Sequence, residues 1–237
     1  MIFAAGMGTR LRPLTDTMPK ALVPVGGKPL LAHIILKLKA AGYGRIVVNV
    51  HHFASLITDY LAANDNFGID LRVSDESRAL LDTGGGIRKA LPLFDPDSSV
   101  LIHNVDILSN LDITAPLPAQ GDATLVVSQR QTSRYLLFDD SGRLRAWTNT
   151  ATGEVRSPYT DIDTTKLHPL AFAGIHELQP TAFEALGDMP ERFGIMDFYI
   201  THCHRLTFTA YQPAHLRMLD IGKTDTLAAA DDFLRTL

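Results

Sequence analysis

The stretch FAAGMGTRLRPLTDTMPKALVPVGGKPLL, residues 3–31, places glycines and basic side chains directly after a short apolar run, Ile2 to Ala5. An apolar run ended by glycine suits a buried parallel strand that feeds a loop. In an open α/β sheet such a loop lies at the carboxyl end of the strands, where ligands of these folds bind. Its small residues let backbone N–H groups approach a polyphosphate, and Arg10, Arg12 and Lys20 bring opposing charge. Two familiar phosphate motifs are excluded. The dinucleotide pattern G-x-G-x-x-G requires glycine where Leu11 stands, and the P-loop requires a Gly-Lys-Ser/Thr ending that the stretch lacks.

Downstream, Leu30, Leu31, Ile34, Ile35, Leu38 and Ala41 recur at helical spacing, with Pro29 suited to the first turn and Gly42 to the C-terminal stop. Strands are expected at Arg45 to Val50, from Gly68 (GIDLRV) and at Ser98 to Val105, with helices over Phe53 to Ala63 and Gly86 to Leu93. This alternation predicts an α/β fold with a mostly parallel, doubly wound, Rossmann-like sheet. After Asp122 the segments ATLVVSQ, YLLFDD, RLRAW and LAFAGIHEL predict an antiparallel extension. Residues 148–168 carry the least pattern and are expected to form a mobile loop over a site. Leu227, Ala230, Phe233, Leu234 and Leu237 predict an apolar face on a C-terminal helix.

At 237 residues, the chain is expected to form a single domain, 1–237. No apolar run approaches the ~20 residues of a membrane span, and Gly6, Arg10 and Arg12 interrupt any secretory leader. Cys203 is the lone cysteine, so an internal disulfide is excluded and a cytoplasmic location is expected. A net charge of −4 argues against nucleic acid as a partner. His202 and His204 are spaced i, i+2 and would not share a helix face, which argues against a zinc pair.

The full string AAGMGTRLRPLT followed by PKALVPVGGKPLL resembles the nucleotide-sugar pyrophosphorylases, which join an NTP to a sugar 1-phosphate and release pyrophosphate. The resemblance implies the nucleotide-diphospho-sugar transferase fold, with an NTP and a sugar 1-phosphate as partners. It assigns Ala5, Gly6, Gly8, Thr9 and Arg10 to the triphosphate loop and Lys20 to a phosphate contact. Asp106, after the strand SSVLIHNV, and Asp220, before IGKTDTL, resemble the family's two ligands for Mg²⁺, with Asn104 beside the nucleotide. Thr83, Gly84 and Gly85 in LLDTGGGIRKAL resemble a base-binding loop just ahead of a helix, and Glu76 is expected to accept hydrogen bonds from the base. On the sugar side, Gly174 in AFAGIHEL and Asp197 in GIMDFYI are expected to face the cleft. The Glu-Lys-Pro segment of many relatives is missing, which leaves Arg130, Arg145 and Lys166 as substitutes for its lysine.

Short length and the TGGG segment are similar to bacterial N-acetylmuramate-1-phosphate uridylyltransferases and to mannose- or heptose-1-phosphate guanylyltransferases. UTP is the first expectation and GTP the second. A phosphocholine cytidylyltransferase ranks lower, since the lone Trp147 makes no aromatic cage. Val105 stands where the family usually has glycine, and a β-branched residue resists a positive φ. It is the main support for a nucleotide-binding regulator that has lost catalysis, against which the retention of Arg10, Lys20, Asp106 and Asp220 argues. Otherwise the site is expected to accommodate Val105 with φ negative. The sequence says nothing about oligomeric state.

Overall fold

The computed structural model describes residues 1–118 and 120–237. In chain order its strands and α-helices are β1 (Ile2–Phe3), β2 (Pro24–Val25), β3 (Lys28–Pro29), α1 (Leu30–Ala40), β4 (Arg45–Val50), α2 (Ala54–Ala63), β5 (Asp70–Asp75), α3 (Asp82–Ala90), β6 (Val100–Asn104) and β7 (Ile107–Ser109). Then come β8 (Ala123–Ser128), β9 (Arg134–Phe138), β10 (Leu144–Asn149), β11 (Glu154–Arg156), β12 (His168–Leu178), α4 (Ile195–His202), β13 (Phe208–Tyr211), β14 (Met218–Asp220), α5 (Thr224–Ala228) and α6 (Ala230–Arg235).

The half before residue 105 winds as its pattern dictates. Leu30, Leu31, Ile34, Ile35 and Leu38 turn one face of α1 into the core. The helix then stops at Gly42, whose φ of +90° suits a residue without Cβ. There Tyr43 N–H donates to the Leu38 carbonyl at 3.1 Å and Gly42 N–H to Lys39 at 3.0 Å, a Schellman closure. β5, β4, β1 and β6 lie side by side, all parallel. The chain winds outward from β1 to β4 and β5, then returns to place β6 on the other side of β1, so the direction of winding reverses between β1 and β6.

Beyond β6 the sheet becomes antiparallel, as expected. β12 pairs with β6 through Ile175 to Leu178 and with β9 through His168 to Leu170. It changes register against β8 between Phe172 and His176, around Gly174, whose φ is +76°. A glycine bulge here lets one long strand serve two partly separate sheets. β9, β10 and β11 follow as a meander, and β8 also pairs in parallel with β13. A separate two-stranded ladder sets Asp220 of β14 opposite Ile107 of β7.

Three expectations are corrected. Helix α3 starts at Asp82 rather than Gly86, so Gly84, Gly85 and Gly86 lie inside its first turns. The reason is tertiary: a Cβ on Gly84 would collide with the Phe193 ring, and one on Gly85 would come 2.7 Å from the Glu191 carbonyl oxygen. Residues 148–168 are not one unpatterned loop, because β10 and β11 pair as a hairpin whose turn holds Gly153 at φ +74°. The C-terminal apolar face is split between α5 and α6, with Leu227, Phe233 and Leu234 packed on the core and Leu237 exposed.

Candidate active site

A cavity of about 400 Å³ opens at the carboxyl ends of β1 and β6, where the winding reverses. The loop from Ala4 to Arg10 forms one wall. Lys20 and the segment Asn104 to Asp106 line the floor, and Glu76, Leu80, Asp82 and Thr83 line the far side. Ala5, Gly6, Gly8, Thr9, Arg10, Lys20, Glu76, Thr83, Asn104 and Asp106, all expected from the sequence, therefore meet at one cavity.

The two loop glycines serve different needs. Gly6 has open space around it, which leaves its backbone accessible. Gly8 has φ +62°, and a Cβ there would come 2.9 Å from Thr15 Cγ2 and 3.0 Å from Lys20 Cβ. Thr15 Oγ1 donates to the Gly8 carbonyl at 2.8 Å, as does Leu11 N–H. The loop is thus pinned by its own turn, with its exposed Gly6–Met7 segment facing the cavity. Arg10 lines that cavity, whereas Arg12 is drawn to Asp16, 3.2 Å away on the surface.

Lys20 is largely buried and its ammonium pairs with Asp106 Oδ2. The β7–β14 ladder brings the second acid alongside: Ile221 N–H donates to the Asp106 carbonyl at 2.8 Å. Asp220 does not line the cavity itself but reaches its rim at Gly222. A Cβ on Gly222 would lie 2.8 Å from Asp220 Oδ1 and 2.9 Å from Arg10 Nη2, so carboxylate and guanidinium converge on that glycine. Although Asp220 keeps surface in contact with water, its carboxyl pKa is raised, first by desolvation in the concavity and then by the charge of Asp106. Lys20, Arg10 and Arg130 act in the opposite direction.

Val105 has a negative φ, as expected, and its side chain packs into the core beneath the floor. The β-branched residue therefore leaves Asp106 placed at the strand end without a left-handed turn.

Several expected site residues are engaged by other parts of the protein, whether or not they reach the cavity. Gly84 and Gly85 do not line the cavity, and their N–H groups donate to the Phe193 carbonyl at 2.9 and 3.1 Å, so they are not free to read a base edge. The Thr83 hydroxyl accepts from Ile195 N–H at 2.8 Å. Asp197 accepts from Gly194 N–H at 3.1 Å and pairs with Arg156 at 2.6 Å, away from the cavity lining. Gly174 lies behind the floor, where a Cβ would come 2.8 Å from Asn104 Nδ2. Glu76 adjoins the cavity but has no exposed surface, and both its oxygens already accept hydrogen bonds within the protein.

Of the three basic candidates for the sugar side, Arg145 is occupied by Asp139 at 2.6 Å and the Tyr159 hydroxyl at 2.8 Å. Lys166 lies on the surface beside Asp163. Arg130 donates to the Phe172 carbonyl at 3.2 Å and stands near enough to Asp220 to stabilise its charge. Two polar side chains in the lining escaped sequence reasoning. Asn49 interrupts the buried apolar run Ile46–Val50 of β4, and a polar residue inside that run is the signal that was available. Asp82 has φ +63°, a left-handed conformation unusual for a side-chain-bearing residue, at the start of α3.

Among the described residues, no group of three or more His, Cys, Asp or Glu side chains is placed to hold a metal ion. Among the described residues, no helix is long and apolar enough to cross a membrane. The profile of the family described as "Nucleotidyl transferase" matches residues 1–129. Over 201 residues the chain is 37% identical to an N-acetylmuramate alpha-1-phosphate uridylyltransferase of Caulobacter vibrioides, covering 81% of this chain and 78% of that one. A protein of the same description from Neisseria meningitidis serogroup B is 44% identical over 115 residues, 48% of this chain and 49% of its own. Among solved structures, HddC from Yersinia pseudotuberculosis complexed with GMP-PN superposes with a TM-score of 0.74 at 21% identity, over 98% of this chain and 97% of that chain. That likeness shows the nucleotide-diphospho-sugar transferase fold. Cavity, loop and family profile agree, and the chain belongs to the nucleotidyl transferase family as an enzyme of its sugar-1-phosphate nucleotidyltransferase branch.

Proposed function

We propose that this cavity transfers a nucleotidyl group from UTP to a sugar 1-phosphate, with GTP as the second choice of nucleotide. The carrying observation is the Lys20–Asp106 pair on the floor, directly beneath the glycine-rich loop. It joins a lysine cation that can pair with phosphate to a carboxylate that a divalent ion would need. UTP ranks first because the more extensively matched relative is named a uridylyltransferase.

In this reading the Gly6–Thr9 backbone holds the triphosphate, while Arg10 and Lys20 oppose the charge that grows on the leaving pyrophosphate. A phosphate oxygen of the sugar 1-phosphate attacks the α-phosphorus in line, and the bond to the β-phosphate oxygen breaks. The attacking group is already anionic, so the protein needs no general base; its work is placement and charge neutralisation. Arg130 is the cation we assign to the sugar phosphate, being the candidate that is neither occupied by a carboxylate nor distant from Asp220.

The donor set fits Mg²⁺. Two carboxylates stand close together, and the pKa of Asp220 is raised first by desolvation and then by the charge of Asp106, a penalty that a divalent cation held by the two would relieve. Asp106 and Asp220 would hold the ion, releasing Lys20 toward phosphate. When bound it supplies Lewis-acid neutralisation of the phosphate oxygens.

The test is a matrix of four NTPs against phosphocholine and the 1-phosphates of N-acetylmuramate, mannose, glucose, N-acetylglucosamine and heptose, read as pyrophosphate release. Preference for UTP supports the reading; preference for GTP replaces the nucleotide, and activity with phosphocholine alone replaces the sugar.

A further inference from the structure

A chain of three hydrogen bonds runs behind the cavity. Ala4 N–H, the last backbone donor before the phosphate loop, donates to Asn49 Oδ1 at 2.8 Å. Asn49 Nδ2 donates to Glu76 Oε1 at 2.7 Å. Leu81 N–H, at the entry to α3, donates to Glu76 Oε2 at 3.1 Å. Ala4, Asn49 and Glu76 are 2%, 3% and 0% exposed, so water does not substitute for any link.

Each link fixes the polarity of the next. The backbone donor at Ala4 demands an oxygen, which turns the Asn49 amide nitrogen toward Glu76. Position 76 therefore faces a donor on each side, Asn49 Nδ2 and Leu81 N–H, and only a group that accepts at both ends satisfies it. A carboxylate does. A glutamine would turn its NH₂ against one donor, and Asn49 is unable to flip in response without abandoning Ala4. Space is equally constrained: a Cβ on Gly86 would come 2.8 Å from Glu76 Oε1 and 3.1 Å from Asn49 Nδ2.

We propose that Asn49 and Glu76 are positioning residues that hold the triphosphate loop and the Leu81–Thr83 entry of α3 at a fixed separation, so that the two opposite walls of the nucleotide cavity are set by one polarity-matched relay. The inference rests on the nucleotidyl-transfer reading. It replaces a base-reading role for Glu76 with an indirect one, and it names the NTP as the substrate whose binding depends on the relay.

The polarity argument supplies its own test. In Glu76→Gln, or in Asn49→Asp, one contact becomes donor–donor or acceptor–acceptor. In the double variant Asn49→Asp/Glu76→Gln the pattern closes again. The new carboxylate at position 49 accepts from Ala4 N–H and from the new amide at position 76, whose oxygen in turn accepts from Leu81 N–H. Each single variant should raise the KM for UTP roughly tenfold or more, with the KM for sugar 1-phosphate changed less than about twofold. The double should recover most of that loss. A Glu76→Gln variant with unchanged UTP KM, a double no better than the worse single, or a loss confined to kcat would each overturn the positioning role. Urea melts of the four proteins form the second cycle, which needs no turnover. Recovery of stability in the double is expected, and its absence overturns the relay. If the wild-type protein released no pyrophosphate with any substrate pair, the transfer reading would fall, and with it the named substrate, while the melts would still decide whether the polarity coupling exists.

Discussion

Lys20 and Asp106, 86 residues apart in the chain, form an ion pair on the cavity floor, one from the turn after the glycine-rich loop and the other from the end of β6. Such a pair holds two charged groups ready for a substrate that is itself polyanionic. In the proposed reaction the ammonium would turn to phosphate and the carboxylate would help hold a divalent cation, with neither left unpaired.

Loss of either proposed metal ligand should remove turnover and keep the fold. Asp106→Asn and Asp220→Asn are each expected to lower kcat by at least ~10²-fold, with circular dichroism unchanged. Near-normal kcat in a folded variant would take that residue out of the metal site.

Asp220 should also show the opposite sign in stability. Its carboxyl pKa is raised in the folded protein, so at neutral pH the ionised group destabilises the metal-free fold. In chelator, Asp220→Asn should therefore melt above the wild type at pH 7. That penalty is complete above the raised folded-state pKa and vanishes below the ordinary carboxylate value, where the group is protonated in both states. The difference in melting temperature should shrink as pH falls through this window. A variant less stable than wild type at pH 7 would contradict the assignment.

In the proposed reaction Arg10 and Lys20 oppose the charge that develops on the leaving pyrophosphate. Arg10→Ala or Lys20→Ala should each cost roughly 2–4 kcal/mol in kcat/KM, whatever sugar is offered. An Arg10→Ala effect limited to the sugar's KM would move the triphosphate away from this loop.

The glycines of α3 make a packing prediction. Gly84→Ala drives a methyl group into the Phe193 ring and should cost about 1–3 kcal/mol of stability in urea titration. An unchanged midpoint would show that the 191–194 segment yields freely.

Much of this was legible because it is local. The α1 helix follows from apolar spacing between Pro29 and Gly42, and the phosphate loop from a long motif whose glycines and basic residues sit close in sequence. What escaped is non-local. Thr83 to Gly85 read as a base-binding loop ahead of a helix, since glycine is costly in a helix unless something approaches closely, and Phe193, which approaches Gly84, lies far along the chain. The β7–β14 ladder that brings Asp220 to Asp106 leaves no periodicity in either segment. Glu76 and Asp197 were expected at the cleft from the family resemblance; Glu76 does line the cavity but is enclosed by backbone and amide donors, and Asp197 is taken by Arg156 and Gly194.

The most direct measurement is pyrophosphate release by the wild-type protein from UTP, with and without N-acetylmuramate 1-phosphate, alongside quantitation of the nucleotide sugar. The account predicts release only when the sugar phosphate is present, one pyrophosphate per nucleotide sugar formed, and loss of both signals in Lys20→Ala. Release without the acceptor, or none with any sugar 1-phosphate and any NTP, would contradict it.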